Sequence, residues 1–207
     1  MRTAKTVLTV IQERGKQKKP IERVYKLLFN RELYLNADAK LYPNNGAMTK
    51  GVTDETVDGM SIQKIDRMIE ILREEKYQWK PARREYIKKK NGKKRPLGIP
   101  VWGDKVLQEV MRQILEAYYE PQFSEHSHGF RPNRGCHTAL QEIQVWKGTR
   151  WFIEGDISQY FDTIDHKILL EILARNIHDG RFIRLVSNML ELSLIHISEP
   201  TRLALIS

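Results

Sequence analysis

The stretch around Asp156 carries residue types that bind a hard metal ion. Asp156 follows a short apolar run, Trp151 to Ile153, and lies five residues before the aromatic Phe161. The run predicts a buried strand, so Asp156 would lie where the strand leaves the core, with its carboxylate open to a cation. Mg²⁺ prefers carboxylate and carbonyl oxygens, and Asp156 with the carbonyl of Ile157 could supply part of its shell. The alternative is a helix cap or a turn, the commoner role of an isolated Asp after an apolar run.

A basic run forms a second candidate site. Residues 80–95 include nine Lys and Arg side chains and one acid, Glu85, so this window carries +8 of the net charge of +9 and the remainder is nearly neutral in sum. Such a run is usually a solvated face. Here Tyr86 and Ile87 interrupt the charges and an Asn-Gly pair follows at 91–92, which predicts a β-hairpin with a tight turn. Ordered cations on a hairpin can bind phosphates of a polyanionic partner.

Three histidines, His126, His128 and His137, lie close together in the sequence. A catalytic zinc site needs convergent ligands and an open position, and the spacing fixes no such geometry, so we do not assign zinc. Cys136 is the only cysteine, which excludes an intrachain disulfide and a cysteine-built zinc site. We expect its side chain to be small, buried and without redox chemistry.

The elements that must position these residues are mostly helical. Apolar residues at 24, 27, 28, 33 and 35 predict one amphipathic helix that ends near Asn30 or Asn36, and those at 62, 65, 69 and 72 predict a second helix capped by Ser61. Residues 41–60 are rich in Gly, Asn, Asp and Thr and predict an ordered loop. A helix over 101–119 is predicted to end at Pro121.

Two further helices are predicted after the Asp156 stretch. Asp165 is the expected cap of the first, which carries apolar residues at 168, 169, 172 and 173 and ends near Asn176. We expect this helix to pack under the sheet that carries Asp156. The second helix begins near Phe182.

Three blocks of this sequence resemble group II intron-encoded reverse transcriptases, also called maturases. The first is Phe-Ile-Glu-Gly-Asp-Ile-x-x-x-Phe-Asp-x-Ile-Asp-His at residues 152–166, which is similar to the first catalytic block of that family. The second is the basic stretch at 84–100, which resembles the fingers hairpin. The third is Glu-Pro-x-Phe-Ser-x-x-Ser-His-Gly-Phe-Arg-Pro-x-Arg at 120–134. A Gly-Ala-x-Thr-x-Gly-Val segment at 46–52 adds a match to the family's N-terminal extension.

The resemblance implies a role for each matched residue. Asp156 would bind both Mg²⁺ ions, and Phe161 would block a nucleotide 2′-hydroxyl and so select deoxynucleotides. Lys89 and Arg95 would hold the triphosphate of the incoming nucleotide. The remaining matched positions would contact RNA: Gly46, Thr49, Gly51, Lys88, Lys90, Arg131 and Arg134. For Arg131 and Arg134 the alternative is a contact with neighbouring loops. Lys88 departs from the family, which usually has Pro there.

Two-metal polymerisation needs several carboxylates that bridge both ions, and Asp156 can be only one of them. The family's second carboxylate pair lies in an Ala-Asp-Asp block further along the palm, and this sequence contains no Ala-Asp-Asp. Asp162 and Asp165 belong to the helix start and to structural contacts in the family. We therefore expect the chain to be the N-terminal part of a polymerase and to be inactive as it stands.

The expected fold class is α+β: right-hand polymerase fingers and a partial palm, with a helical N-terminal extension. Residues 1–79 would form the extension with its template-contacting loop, and residues 80–191 the fingers and the first part of the palm. Leu192 to Arg202 has the same sequence as the translation of a common transposase sequencing adapter. We expect residues 192–207 to be a translated adapter, not native sequence.

The composition is that of an ordinary globular protein, and no run approaches the roughly 18 apolar residues of a membrane span. The N-terminus is too polar for a secretory signal, so we expect a cytoplasmic protein. The partners implied by the resemblance are intron RNA as template, a DNA primer and deoxynucleoside triphosphates, with Mg²⁺ as cofactor. Two alternatives are an RNA-binding splicing factor without polymerase activity and a structural or toxin-associated fragment.

Overall fold

The computed structural model describes residues 2–44, 46–88, 92, 94–157 and 160–203, with the backbone alone at 95, 96, 161, 162 and 193–203. It is a mixed helical and strand structure, in agreement with the α+β class at the coarse level. The helices are α1 (Ala4–Lys16), α2 (Arg31–Leu41), α3 (Ile62–Arg73), α4 (Trp102–Tyr119), α5 (Cys136–Gln144), α6 (Tyr160–Thr163), α7 (His166–Asn176) and α8 (Gly180–Leu203). The described residues also include short 3₁₀ helices at Val24–Phe29, Val57–Gly59 and Glu120–Gln122.

Within the described residues, the strands form two small two-stranded sheets. Strand β1 (Ile21–Glu22) pairs in parallel with β4 (Ile177–His178), which joins the N-terminal region to the start of α8. Strands β2 (Arg83–Lys88) and β3 (Lys94–Ile99) form an antiparallel hairpin in which Arg83 lies opposite Ile99 and Lys88 opposite Lys94. The hairpin predicted from the Asn-Gly pair is therefore present.

Helix α4 is the centre of the core. Its buried face includes Val106, Val110, Ile114 and Tyr118, at the helical spacing that the sequence predicts. Helices α1 and α2 both pack against it. The approach of α1 is very close, because a Cβ built on Gly15 would lie 2.1 Å from the carbonyl oxygen of Tyr118. Glycine at position 15 is what allows the two helices to meet there.

Helix caps place several boundaries as predicted. Ser61 Oγ accepts a hydrogen bond from the N–H of Lys64 at the start of α3, whose residues Ile65, Ile69 and Leu72 are buried. Asp165 Oδ1 accepts from the N–H groups of Lys167 and Ile168 at the start of α7. Helix α4 ends at Tyr119, directly before the Glu120–Gln122 turn that contains the proline.

The single helix predicted over residues 24–35 is wrong. The structure has a 3₁₀ helix, Val24–Phe29, and then α2 from Arg31. Asn30 separates them because its extended backbone breaks the first element and its Oδ1 accepts from the N–H of Glu32, capping the second. Asn30 therefore ends the 3₁₀ helix, as one of the two predicted helix ends, and it also starts α2, which we did not expect.

The buried strand predicted at Trp151 to Ile153 is also wrong. These residues have no regular secondary structure, and their exposed fractions are 86%, 73% and 93%. Both sheets of the described residues are two-stranded and lie elsewhere, so no neighbouring strand accepts the backbone hydrogen bonds of this segment. Without that partner the apolar run has no surface on which to be buried.

Two further expectations need correction. Cys136 is exposed, because it lies in the first turn of α5, a helix whose described side chains are not buried. Among the described residues, helix α7 packs against α8 and contacts a sheet only at β4, the strand that directly follows it. Its Leu170 and Leu173 lie against the core, whereas Ile168 and Ile172 are exposed. Within the part of the chain that the structure describes, no helix combines the length and apolar character needed to cross a membrane.

Candidate nucleotide-binding hairpin and template surface

The β2–β3 hairpin presents a basic, solvent-exposed end. Lys88 and Lys94 are opposite each other and both are exposed, and the adjacent Tyr86 and Ile87 are more than half exposed. The backbone of Arg95 pairs with Ile87. Lys89 and Lys90 lie outside the described residues. The structure therefore contains the predicted hairpin, and the described residues next to its turn, Lys88 and Lys94, are exposed.

The predicted template loop lies against the root of this hairpin. Arg83, the first residue of β2, donates from Nε to the carbonyl oxygen of Lys50 at 3.0 Å. Gly51 is buried, and a Cβ at this position would lie 2.9 Å from the Val101 backbone nitrogen. These contacts leave an open cavity of about 440 Å³ between the loop and Arg83. Residues 49–54 and the hairpin thus meet in space, although more than thirty residues separate Lys50 from Arg83.

The loop is ordered by its own backbone. The N–H of Thr49 donates to the carbonyl oxygen of Gly46 at 3.1 Å, and the N–H of Ala47 donates to that of Asn44 at 2.8 Å. Ala47 is buried, whereas Gly46 and Thr49 are exposed. Gly46 and Thr49 are therefore accessible to a ligand, while Gly51 is used in packing.

Arg131 organises the segment that follows α4. Its Nη1 donates to the carbonyl oxygens of Ser124 and Ser127 at 2.6 and 2.8 Å, and its Nη2 lies 2.9 Å from Glu120 Oε1. The guanidinium also lies over the ring of Phe123. Of the two roles considered for Arg131, contact with a neighbouring loop is the one made by these bonds. Its contact with RNA stays a prediction.

Arg134 and two histidines hold the same segment. Arg134 donates to the carboxylate and the backbone carbonyl of Glu125. His126 and His128 both bond to Glu142 of α5, with His128 Nε2 at 2.8 Å from Oε2. The hydrogen bonds from His128 and then His126 lower the pKa of the Glu142 carboxyl. The third histidine, His137, is exposed on α5.

Asp156 lies in the irregular, exposed segment between α5 and α6. Its carboxylate and the carbonyl of Ile157 have the oxygen chemistry that Mg²⁺ prefers. Across the described side chains, no three His, Cys, Asp or Glu residues come together in a way that could hold a metal ion. The donors therefore fit magnesium in type and are too few to hold it by themselves. Phe161 has only its backbone described, in α6.

The sequence interpretation missed a second basic surface at the N-terminus. Residues 2–26 contain eight Lys and Arg residues and two acids, and all eight basic side chains are exposed. The Nη2 of Arg14 donates to the carbonyl oxygen of Pro20 at 2.6 Å, which fixes the turn after α1. The net charge summed over all residues outside 80–95 is nearly zero, and this sum concealed the basic residues at the N-terminus. Counting charges in short windows along the sequence would have found them.

Comparison with known proteins assigns the family. Residues 87–202, more than half of the chain, match the family described as reverse transcriptase (RNA-dependent DNA polymerase). Over 171 residues, 82% of its length, the chain is 48% identical to the group II intron-encoded protein LtrA of Lactococcus lactis subsp. cremoris. The chain belongs to the group II intron-encoded reverse transcriptase and maturase family. Reverse transcriptases generally use a divalent metal.

Other relatives come from introns and organelles. The chain is 45% identical, over 90% of its length, to an uncharacterised 91 kDa protein in the cob intron of Schizosaccharomyces pombe. It is 36% identical over 95 residues to nuclear intron maturase 1, mitochondrial, of Arabidopsis thaliana. It spans 28% of the length of the LtrA protein and 24% of the S. pombe protein. The family match continues to residue 202, so it includes most of the tail that we interpret as adapter-derived.

Proposed function

We propose that this reverse transcriptase chain forms the nucleotide-binding and template-binding part of an RNA-directed DNA polymerase with a maturase role in intron splicing. The observation that carries the proposal is the contact of the basic hairpin with the loop at residues 49–54. Arg83 of β2 donates to Lys50, and Gly51 packs on Pro100 and Val101, which directly follow β3. These contacts bring a phosphate-binding element and a template-contacting element to one surface. The names of the relatives, an intron-encoded protein and an intron maturase, support the second role.

In this proposal the β2–β3 hairpin is the fingers hairpin, and the segment from Trp151 to α6 begins the palm. Lys89 and Arg95 hold the triphosphate, Arg95 as a planar fork and Lys89 as a point charge. Phe161 lies beside the sugar and excludes a 2′-hydroxyl. The exposed Lys88 and Lys94 add positive charge at the same end of the hairpin.

Asp156 and the carbonyl of Ile157 would hold Mg²⁺ together with the second carboxylate pair expected further along the palm. When bound, the metal lowers the pKa of the primer 3′-hydroxyl and neutralises the leaving pyrophosphate. The exposure of Asp156 in the described structure leaves its carboxylate accessible to the ion and to a nucleotide. The task of this chain is therefore to position the nucleotide and supply one bridging carboxylate.

Intron RNA would lie along three elements. The first is the loop with Gly46, Thr49 and Gly51; the second is the hairpin with Lys88 and Lys90; the third is the segment with Arg131 and Arg134. The N-terminal basic surface at residues 2–26 extends the positive area that RNA phosphates could occupy. A DNA primer, deoxynucleotides and a cytoplasmic location complete the proposal.

The test is the apparent KM for each deoxynucleotide in a polymerase that carries these residues together with the second carboxylate pair. Lys89→Ala and Arg95→Ala should each raise KM about tenfold or more, because a lost charge-assisted phosphate contact amounts to roughly 1.5–3 kcal/mol. Lys76→Ala is the control: Lys76 pairs with Glu74 at the end of α3, so KM should stay unchanged. An unchanged KM in both hairpin variants would reject the assignment. RNA binding without any nucleotide incorporation by the wild type would favour a splicing factor.

A further inference from the structure

Asp104 is a buried carboxylate at the start of α4, with an exposed fraction of 3%. Its two oxygens accept hydrogen bonds from one short segment of chain. The Tyr77 hydroxyl donates to Oδ1 at 2.6 Å, and the backbone N–H of Lys80 donates to Oδ2 at 2.9 Å. Residues 77–80 lead into β2, so Asp104 fixes the chain just before the hairpin begins.

A second contact holds this segment from the other side. Trp79 is buried, its ring packs edge-on against Tyr77, and its Nε1 donates to the carbonyl oxygen of Leu185 in α8 at 3.0 Å. The segment is therefore held between α4 and α8. The aromatic pair fills the space, and Asp104 supplies the directional bonds that set its orientation.

Both strands of the hairpin are rooted at the same turn of α4. Strand β3 ends at the buried Ile99, and the chain continues through Val101, the residue that precedes α4, to Asp104. The segment that leads into β2 returns to Asp104 through its two hydrogen bonds. Among the described residues at the other end of β2, Tyr86, Ile87 and Lys88 are all exposed. The direction of the hairpin is consequently set at its root.

We propose that Asp104 is a positioning residue for the nucleotide-binding hairpin. The inference rests on the proposed function, because it assigns the hairpin to the triphosphate. Burial raises the pKa of the Asp104 carboxyl, and the bonds from Tyr77 and the Lys80 N–H act in the opposite direction. Loss of those bonds releases the root, so the hairpin moves while α4 keeps its core contacts.

Amide hydrogen exchange of the 207-residue chain tests whether Asp104 anchors the hairpin. In Asp104→Ala the amides of residues 83–99 should exchange about tenfold faster or more, because two buried donors lose their acceptor, while those in the middle of α4 remain unchanged. Asp104→Asn keeps one good acceptor and should give a smaller increase, as should Tyr77→Phe. Equal exchange of residues 83–99 in wild type and in all three variants would overturn the inference.

Glu109→Ala is the matched control. Glu109 is a buried acid on the same helix, but its partners are Arg112, through two bonds of 2.6 and 2.8 Å, and Lys40. Its loss should not speed exchange in the hairpin beyond the rest of the chain. A rise there as large as that of Asp104→Ala would show general destabilisation and would also overturn the inference.

The effect of Asp104 on nucleotide binding is measured in the polymerase that carries this chain. Asp104→Ala should raise the deoxynucleotide KM about tenfold with kcat changed less than threefold, and Asp104→Asn should recover most of the loss. An active enzyme with an unchanged KM would refute the positioning role. Faster hairpin exchange together with a wild-type protein that incorporates no nucleotide would refute the proposed polymerase function, and would leave the anchoring by Asp104 supported.

Discussion

At the scale of single residues, the structure gives different surroundings to residues that have the same role in the family pattern. Gly46 and Gly51 both belong to the segment expected to lie over the template. A Cβ on Gly46 would have no atom within 4 Å, whereas one on Gly51 would meet the backbone of Pro100 and Val101 at 2.9 to 3.1 Å. Gly51 is therefore required for packing, whereas Gly46 has open space around it.

Gly51→Ala should destabilise the chain by about 1–3 kcal/mol, since backbone atoms would have to move to admit the methyl group. Gly46→Ala is the control and should change the free energy of unfolding by less than about 0.5 kcal/mol. Urea denaturation of the two variants measures the difference. Equal stability of both would mean that the loop does not pack on the residues preceding α4.

Arg131 shows why residue roles are hard to predict. Its position in a block that resembles the family suggests a contact with RNA, but its donors bind the carbonyl oxygens of Ser124 and Ser127 and the carboxylate of Glu120. Every residue has a backbone carbonyl oxygen, so the amino-acid sequence does not show which of them will accept a hydrogen bond from Arg131. The partners become visible only when the loop is folded.

At the scale of elements, the sequence was sufficient where periodicity and local chemistry agreed. Helices α3 and α4 and the pairing of β2 with β3 follow from apolar spacing, from the Ser61 cap and from the Asn-Gly pair in the sequence. The start of α2 at Asn30 was missed because Asn can either begin or end a helix, and only an end was expected there. The segment after α5 was missed because an apolar run becomes a strand only beside another strand, and that depends on distant residues.

The hairpin also makes a prediction for binding of the chain to single-stranded RNA. Lys88→Ala should reduce the slope of log K against log salt by roughly 0.7 to 1, because one phosphate contact and its released counterion are lost. Lys76→Ala removes the same charge from the end of α3 and should leave the slope unchanged. Filter binding at several salt concentrations provides the comparison. Equal effects of the two variants would indicate general charge attraction without a specific hairpin contact.

At the scale of the whole molecule, a well-packed helical part is joined to the exposed segment that carries Asp156. Helices α1 and α2 cover α4, and Asp179 accepts from the backbone N–H of Tyr25 at 2.9 Å, linking the start of α8 to the N-terminal region. The apolar side chains of Val145, Trp146 and Trp151 to Ile153 are exposed. The part that carries the hairpin root is thus built within this chain, while the surroundings of Asp156 are not closed by its described residues.

The central claim is that this chain supplies a metal-binding carboxylate for DNA synthesis on RNA, and Asp156 tests it most directly. The measurement is the rate of deoxynucleotide incorporation on an RNA template by a polymerase that carries these residues and the second carboxylate pair. Asp156→Asn should lower kcat about 10³-fold, because metal stabilisation of the transition state amounts to several kcal/mol. Glu154→Gln, which removes an exposed acid two residues away, should stay within about twofold of the wild type. A wild-type rate in Asp156→Asn, or an equal loss in Glu154→Gln, would contradict the account.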